Sequence, residues 1–432
     1  MRHAPIDPSL FVSNRRRLAA LLPAKSLAVV HAADVLPATG DGTMPFHPAA
    51  DLFYLTGVEQ EERVLVLCPD AVVPEHREML FIRQSDGHLA TWEGEKLTPE
   101  SARDVSGIAR VRWLSELDGV LHGLMGESEA VYLNSNEHER ARVGVEPRDV
   151  RMARALMVRH PLHDYRRLAP LLRRLRASKS PAEVDLIRRA VDTTAAGLGR
   201  LLAAVRPGVM EYELEAELLA EFTRGRAKMA YEPIIAAGRN ACVLHYCRND
   251  QECRDGQLVL VDAGACYANY NADLTRTYPV SGRFSPRQRA VYDAVLRVLR
   301  HSIARTTVGT TIRDWRRAAQ VEMAAELVQL GLLTAEQAAR DTAEEPACRP
   351  YFMHGIGHSL GLGVHDLAPQ NGPFEAGWVV TVEPGIYIPE EGIGVRLEND
   401  VLVTESGPVD LCQNVPIEAD EIERLMARGP AA

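Results

Sequence analysis

Five residues of this chain could do chemistry together: Asp262, Asp273, His358, Glu383 and Glu398. Each lies in or beside an apolar, strand-like segment, and together they offer four carboxylates and one imidazole. Two carboxylates about 4 Å apart repel by roughly 4 kcal/mol at an effective dielectric near 20. A chain that gathers four of them must protonate some, turn them to water, or hold cations. Two divalent ions balance the charge of about four carboxylates, and that balance points to a two-metal hydrolase.

The local patterns say how these side chains would be held. Leu258 to Val261 is an apolar run that ends in Asp262-Ala263-Gly264, and Asp273 opens the next run, Leu274-Thr275-Arg276-Thr277-Tyr278. The intervening AGACYANYNA suits a turn that brings the two Asp together. Val379 to Val382 ends in Glu383-Pro384-Gly385, and in Gly394-Val395-Arg396-Leu397-Glu398 the alternation puts Arg396 and Glu398 on one face. His354, His358 and His365 fall within one short stretch, MHGIGHSLGLGVHD. The first two are four apart, a helical spacing, but Gly355, Gly357, Gly361 and Gly363 oppose a helix and allow tight turns around a crowded site. The stretch is neither the HExxH zinc signature nor a GxGxxG phosphate loop. His245 follows another apolar run; alone, such a histidine is more often structural.

The 432 residues suggest two domains. The first part reads as an α/β domain, residues 1–163, with a helix over 9–22 and strands at 26–31, 51–55, 63–67, 78–82 and 130–133. An Arg- and Leu-rich helix over 165–177 lies in an expected linker, 164–180. Ser180-Pro181-Ala182-Glu183 is a capping box that starts a new helix. From there to residue 432 the outline doubles. Helices at 181–205 and 211–225 precede strands at 231–237, 257–263 and 274–280. Helices at 286–304 and 312–331 precede strands at 351–356, 378–383, 393–397 and 400–404. The polar stretch 334–349 reads as a loop or short helix.

The bulk properties narrow the class. Hydrophobic residues make up 46% and charged residues 25%, ordinary for a soluble globular protein. The net charge of −10 argues against nucleic-acid binding, and Arg15, Arg16 and Arg17 read as a solvated helix face. The seven cysteines are odd in number and form no CxxC pair. That favours a reducing cytosol over a disulfide framework, and the spacing of Cys242, Cys247 and Cys253 matches no common zinc pattern. The opening MRHAPIDPSLFVSNRRR lacks the apolar stretch of a signal peptide, and no run is long enough to span a membrane.

The strings GRNACVLHY, VDAGACYANYNADLTRTYPV, MHGIGHSLGLGVHD, TVEPGIY and VRLEND resemble the Xaa-Pro aminopeptidase (aminopeptidase P) family, within the creatinase/prolidase/methionine-aminopeptidase superfamily. FYLTG at 53–57 resembles that family's N-terminal domain. The resemblance implies an α/β (α+β) chain in which a smaller α/β N-terminal domain precedes a pita-bread catalytic domain of two similar halves. It implies two divalent ions, manganese above all, on Asp262, Asp273, His358, Glu383 and Glu398. Asp262 would chelate one ion, Asp273 and Glu398 would bridge both, and His358 and Glu383 would complete the other. A hydroxide bridging the ions would attack the bond before proline. His245, His354 and His365 would contact the substrate or transition state, Glu383 would carry a proton, and Arg396 would stand beside the bridging glutamate. The implied substrates are peptides with proline in second position, and the implied assembly is a dimer or tetramer in the cytoplasm, with no nucleic acid and no membrane. Prolidase, which cleaves Xaa-Pro dipeptides, shares the ligands. The intact set disfavours creatinase and a non-catalytic interaction protein, and the N-terminal domain disfavours methionine aminopeptidase.

Overall fold

Residues 3–85, 87–141, 144–369 and 371–428 are described here from a computed structural model. The chain separates into two compact units, His3–Arg176 and the part from Ala177 onward.

The first unit is built on a six-stranded sheet of order β4-β3-β2-β1-β5-β6, comprising β1 Ser26–His31, β2 Arg63–Leu67, β3 Glu78–Ile82, β4 Arg110–Trp113, β5 Ala130–Leu133 and β6 Asp164–Arg167. It is mixed: β1 runs antiparallel to β2 and parallel to β5. Every residue of β1 and β2 is buried, which is why these strands are nearly continuous in apolar residues and do not alternate. On one face Leu27, Val29, Val64, Val66 and Phe81 pack against Leu121 and Leu124 of the helix Leu117–Glu127.

Three expectations for this unit fail. Residues 51–55 are not a strand but part of a helix, Ala50–Thr56, which Gly57 closes at φ 66° with its N–H on the Phe53 carbonyl. Leu52 through Thr56 are all buried, and an apolar run without a polar face carries no period to read. The helix expected over 165–177 starts only at Ala169. Asp164–Arg167 is the edge strand β6, parallel to β5, its polar side chains suiting an edge. Arg15 is not solvated: it is 1% exposed, donates to the carbonyls of Leu55 (2.7 Å) and Ser106 (2.9 Å), and pairs with Glu78 at 2.9 Å.

The second unit opens with the helix Pro181–Ala204. Ser180 caps it, accepting from the Glu183 N–H, while Glu183 Oε2 accepts from the Ser180 N–H at 2.8 Å. The helix Glu211–Arg224 follows, then β7 Lys228–Met229, β8 Ile234–Ala237, β9 Leu258–Ala263, β10 Ala265–Tyr267, β11 Tyr270–Asn271 and β12 Leu274–Pro279. A second helix pair, Pro286–Ala304 and Ile312–Gln329, leads to β13 Val379–Val382, β14 Gly385–Ile388, β15 Ile393–Arg396, β16 Asn399–Thr404 and β17 Gly407–Asp410. Both halves thus run helix, helix, then small antiparallel sheets of order β12-β9-β8, β11-β10-β7, β13-β16-β17 and β14-β15. The strand expected at 351–356 is absent. That segment bonds its neighbours at single points, such as Tyr387 N–H to Tyr351 O and Glu383 N–H to Ile356 O, with no ladder. Gly355 weakens it as a strand. Among the described residues no helix is long and apolar enough to cross a membrane.

Candidate metal centre

Strand pairing brings the four acids together. β9 and β12 are antiparallel with Asp262 opposite Thr275, so Asp262 and Asp273 lie at the same end of the pair. The β10–β11 hairpin between them turns at Ala268 and Asn269, both with positive φ (51° and 65°). At Gly264 the chain passes so close to its neighbour that a Cβ would lie 1.8 Å from the Ala272 carbonyl oxygen. On the other side β13 pairs with β16 so that Val382 faces Asn399, which leaves Glu383 and Glu398 just beyond the paired ends. The Glu398 N–H donates to the Thr275 carbonyl at 3.1 Å and joins the two groups of strands. The histidine-rich segment is laced to β13: the His358 N–H donates to Thr381 Oγ1 at 3.1 Å, and the Thr381 N–H donates to the His358 carbonyl at 2.9 Å.

Donor atoms of Asp273, His358 and Glu398 all lie within 4.8 Å of one another. His358 Nε2 is 3.5 Å from Asp273 Oδ2 and 3.9 Å from Glu383 Oε1. Asp262 joins through Tyr231, whose hydroxyl is 2.6 Å from Asp262 Oδ1 and 2.5 Å from Asp273 Oδ1. Arg396 donates to Asp262 Oδ2 (2.6 Å), Tyr387 Oη (2.9 Å) and Thr275 Oγ1 (3.2 Å). Thr275 in turn donates to Glu398 Oε2 at 2.7 Å. His354 Nε2 lies 2.7 Å from the Tyr387 hydroxyl, and its Nδ1 lies 3.7 Å from Glu383 Oε2. The His365 and His358 rings are 4.1 Å apart between centroids. His245 is exposed, yet close enough that its charge helps depress His354. Its loop is anchored by the buried Glu211, which accepts from Ala237 N–H, Tyr246 Oη–H and Gln251 N–H at 2.8, 2.8 and 2.9 Å.

The electrostatics are those of a cluster in need of cations. Burial, with the Asp262 charge adding to it, pushes Asp273 well above the usual carboxylate range. Burial and then the Asp273 charge do the same to Glu398. Burial works against the Arg396 charge, but Tyr387 and Asp262 outweigh it and hold the guanidinium above its ordinary range. Burial, followed by the Arg396 charge, lowers His354 to about 4, so its ring is neutral at physiological pH. Convergent oxygen donors with one imidazole fit a hard divalent ion, and positive charge would relieve the repulsion that raises Asp273 and Glu398. All nine residues singled out as ligands or catalytic groups thus map to one region of the second unit, Glu383 counting in both roles. The sequence reading missed Tyr231, Thr275, Thr381 and Tyr387. Their hydroxyls orient the charged groups, and no spacing rule marks them; Thr275, Thr381 and Tyr387 lie within strings already singled out, and Tyr231 stands at the start of the strand expected at 231–237.

This fold and this acidic cluster define a class, the metallopeptidases: the chain belongs to metallopeptidase family M24, which it matches over residues 185–405, with an aminopeptidase P N-terminal domain over 11–132. Within that class it is similar to the Xaa-Pro aminopeptidase of Escherichia coli K12, with 36% identity over 433 residues, 96% of this chain and 97% of that one. It is also similar to the Xaa-Pro aminopeptidase of Haemophilus influenzae, 35% identical over 98% of each chain. The zinc-substituted E. coli aminopeptidase P in complex with product matches in structure with a TM-score of 0.89 and 34% identity, covering 99% of this chain and 100% of that one.

Proposed function

We propose that this chain is a manganese-loaded, dinuclear Xaa-Pro aminopeptidase of the cytoplasm, which removes the first residue of peptides whose second residue is proline. The observation that carries the reading is the convergence of Asp273, His358 and Glu398 donor atoms within 4.8 Å, with Asp262 and Glu383 adjoining. In this reading Asp262, Asp273, His358, Glu383 and Glu398 would hold the two ions. When bound, the ions would acidify a water held between them and polarise the carbonyl before proline.

The remaining work falls to the protein. His354 and His365 stabilise the oxyanion that develops on that carbonyl, where fixed donors help most. Glu383 delivers a proton to the departing proline nitrogen, a tertiary amide nitrogen with no hydrogen of its own. Arg396 pairs with Asp262 and orients it, and His245 contacts the substrate at the open side. Seven free cysteines support a reducing compartment. Assembly as a dimer or tetramer is part of the same reading.

The test is a comparison of an Xaa-Pro-Xaa tripeptide with an Xaa-Pro dipeptide, on protein stripped by chelator and reloaded with Mn²⁺. Preference for the tripeptide, lost on stripping and restored by Mn²⁺, is the expected result. Dipeptide preference would make the chain a prolidase, and chelator-resistant hydrolysis would remove the metal mechanism. Asp262→Ala and Glu398→Ala should each abolish turnover while the chain stays folded.

A further inference from the structure

Lys179 lies near the start of the second unit, just ahead of the helix Pro181–Ala204, and its side chain is buried. Its Nζ is 3.4 Å from Asp366 Oδ2, with the two side chains 1% and 2% exposed. It also donates to the Ala177 carbonyl at 3.3 Å. A buried ion pair is poor evidence for stability, because desolvation offsets the attraction. The useful question is what geometry it fixes.

Asp366 directly follows His365. Its N–H donates to the Ser359 carbonyl at 2.8 Å, so residues 359–366 fold back into a closed loop. Gly361 is packed onto the ion pair from inside that loop: a Cβ there would lie 2.2 Å from Asp366 Oδ2 and 2.9 Å from Lys179 Cε. The Gly361 carbonyl receives both the N–H and the side-chain amide of Asn271, each at 2.9 Å. Lys179 is itself fixed at the backbone. Its N–H donates to the Gly377 carbonyl at 2.7 Å, and Ser178 bridges Trp378 at the head of β13. The ammonium therefore reaches from the frame that carries Glu383 to the residue beside His365.

We propose that Lys179 and Asp366 are a positioning pair, which fixes the 359–366 loop and so aims the His365 imidazole at the developing oxyanion. The inference rests on the reading of His365 given above. Neither residue belongs to the proposed ligand set or to the groups read above as contacting substrate.

The experiment uses the full-length, manganese-loaded chain. Asp366→Asn should lower kcat by about 10- to 100-fold, the effect of a catalytic group displaced by about 1 Å. KM and bound manganese should change little. Because that variant leaves the Lys179 charge buried, the double variant Lys179→Met with Asp366→Asn removes both charges and should show the same fall with the fold intact by circular dichroism. In a His365→Ala background either change should have no further effect on kcat. A kcat lowered by His365→Ala but untouched in both pair variants overturns the positioning role alone. So does a fall that persists in the His365→Ala background, or one that tracks loss of manganese. A His365→Ala enzyme with full kcat would instead remove the oxyanion reading, and this role with it.

Discussion

Replacing Arg396 by Met should harm the metal-free protein far more than the metal-loaded one. Arg396 is 3% exposed and bonds Asp262, Tyr387 and Thr275, in a cluster that also holds Asp273, Glu383 and Glu398. Opposite charges about 4 Å apart attract by roughly 4 kcal/mol at an effective dielectric near 20. Removing one partner of such a buried pair typically costs about 3–5 kcal/mol, because the other charge is left without compensation. For a unit of this size each kcal/mol shifts the midpoint by about 2–4 °C, so the stripped variant should melt roughly 6–20 °C below the stripped parent. With ions bound, the largest positive charges in the site are the ions themselves. The loss should then shrink to that of the hydrogen bonds with Tyr387 and Thr275, about 1–3 kcal/mol. Scanning calorimetry of parent and variant, each stripped by chelator and reloaded with Mn²⁺, reads both numbers. Equal shifts in the two forms, or none in the stripped form, would refute the charge-balance reasoning.

Gly264→Ala puts a methyl 1.8 Å from the Ala272 carbonyl oxygen and must spread the strands that carry Asp262 and Asp273. Manganese affinity by titration calorimetry should fall at least tenfold, or about 1.4 kcal/mol, and parental affinity would show that the strands tolerate the shift. His365→Ala should lower kcat by about 10²–10³, and an unchanged kcat would make that ring structural. In the first unit, burial, with the Arg148 charge adding to it, pulls His31 down from 6.5 to about 4. The unfolded chain then takes up that proton first, so His31 should cost the fold roughly 3 kcal/mol as pH falls from 6.5 to 4, a loss that His31→Leu removes. Asp149 acts in the opposite sense. Burial and then the Asp51 charge push it from 3.8 to about 7, so its contribution is present at low pH and is lost as pH rises through that window, a loss that Asp149→Asn removes. Urea unfolding between pH 4 and 7 reads both, and parallel profiles for parent and variants would contradict them.

What could be read in the sequence was what repeats or alternates. Leu258–Ala263 is an apolar run with one acid near its end, and Leu274–Pro279 directly follows another acid; they are β9 and β12. The Ser180 capping box fixed the start of its helix because a cap is a local bond between residues three apart. The failures share a different physics. Residues 52–56 are buried on every side, so nothing in their polarity separated helix from strand, and Gly57 in the left-handed region was the signal passed over. Asp164–Arg167 has no apolar pattern, since its place as a strand comes from pairing with β5. Arg15 looked like surface because its partners, Leu55, Ser106 and Glu78, are distant in sequence. The acids of the site were legible as strand ends, whereas Tyr231 and Tyr387 became visible only once the strands had converged.

The acids that converge in this molecule sit at the ends of hydrogen-bonded strands, whereas His354, His358 and His365 ride on a stretch with no regular structure, tacked to β13 at single points. The two populations can therefore change independently. Lengthening or reshaping the irregular stretch would alter which chemical groups approach the centre and leave the acids in register. On such a frame new reactions can arise by editing one ribbon of chain, and the inherited centre need not be invented again.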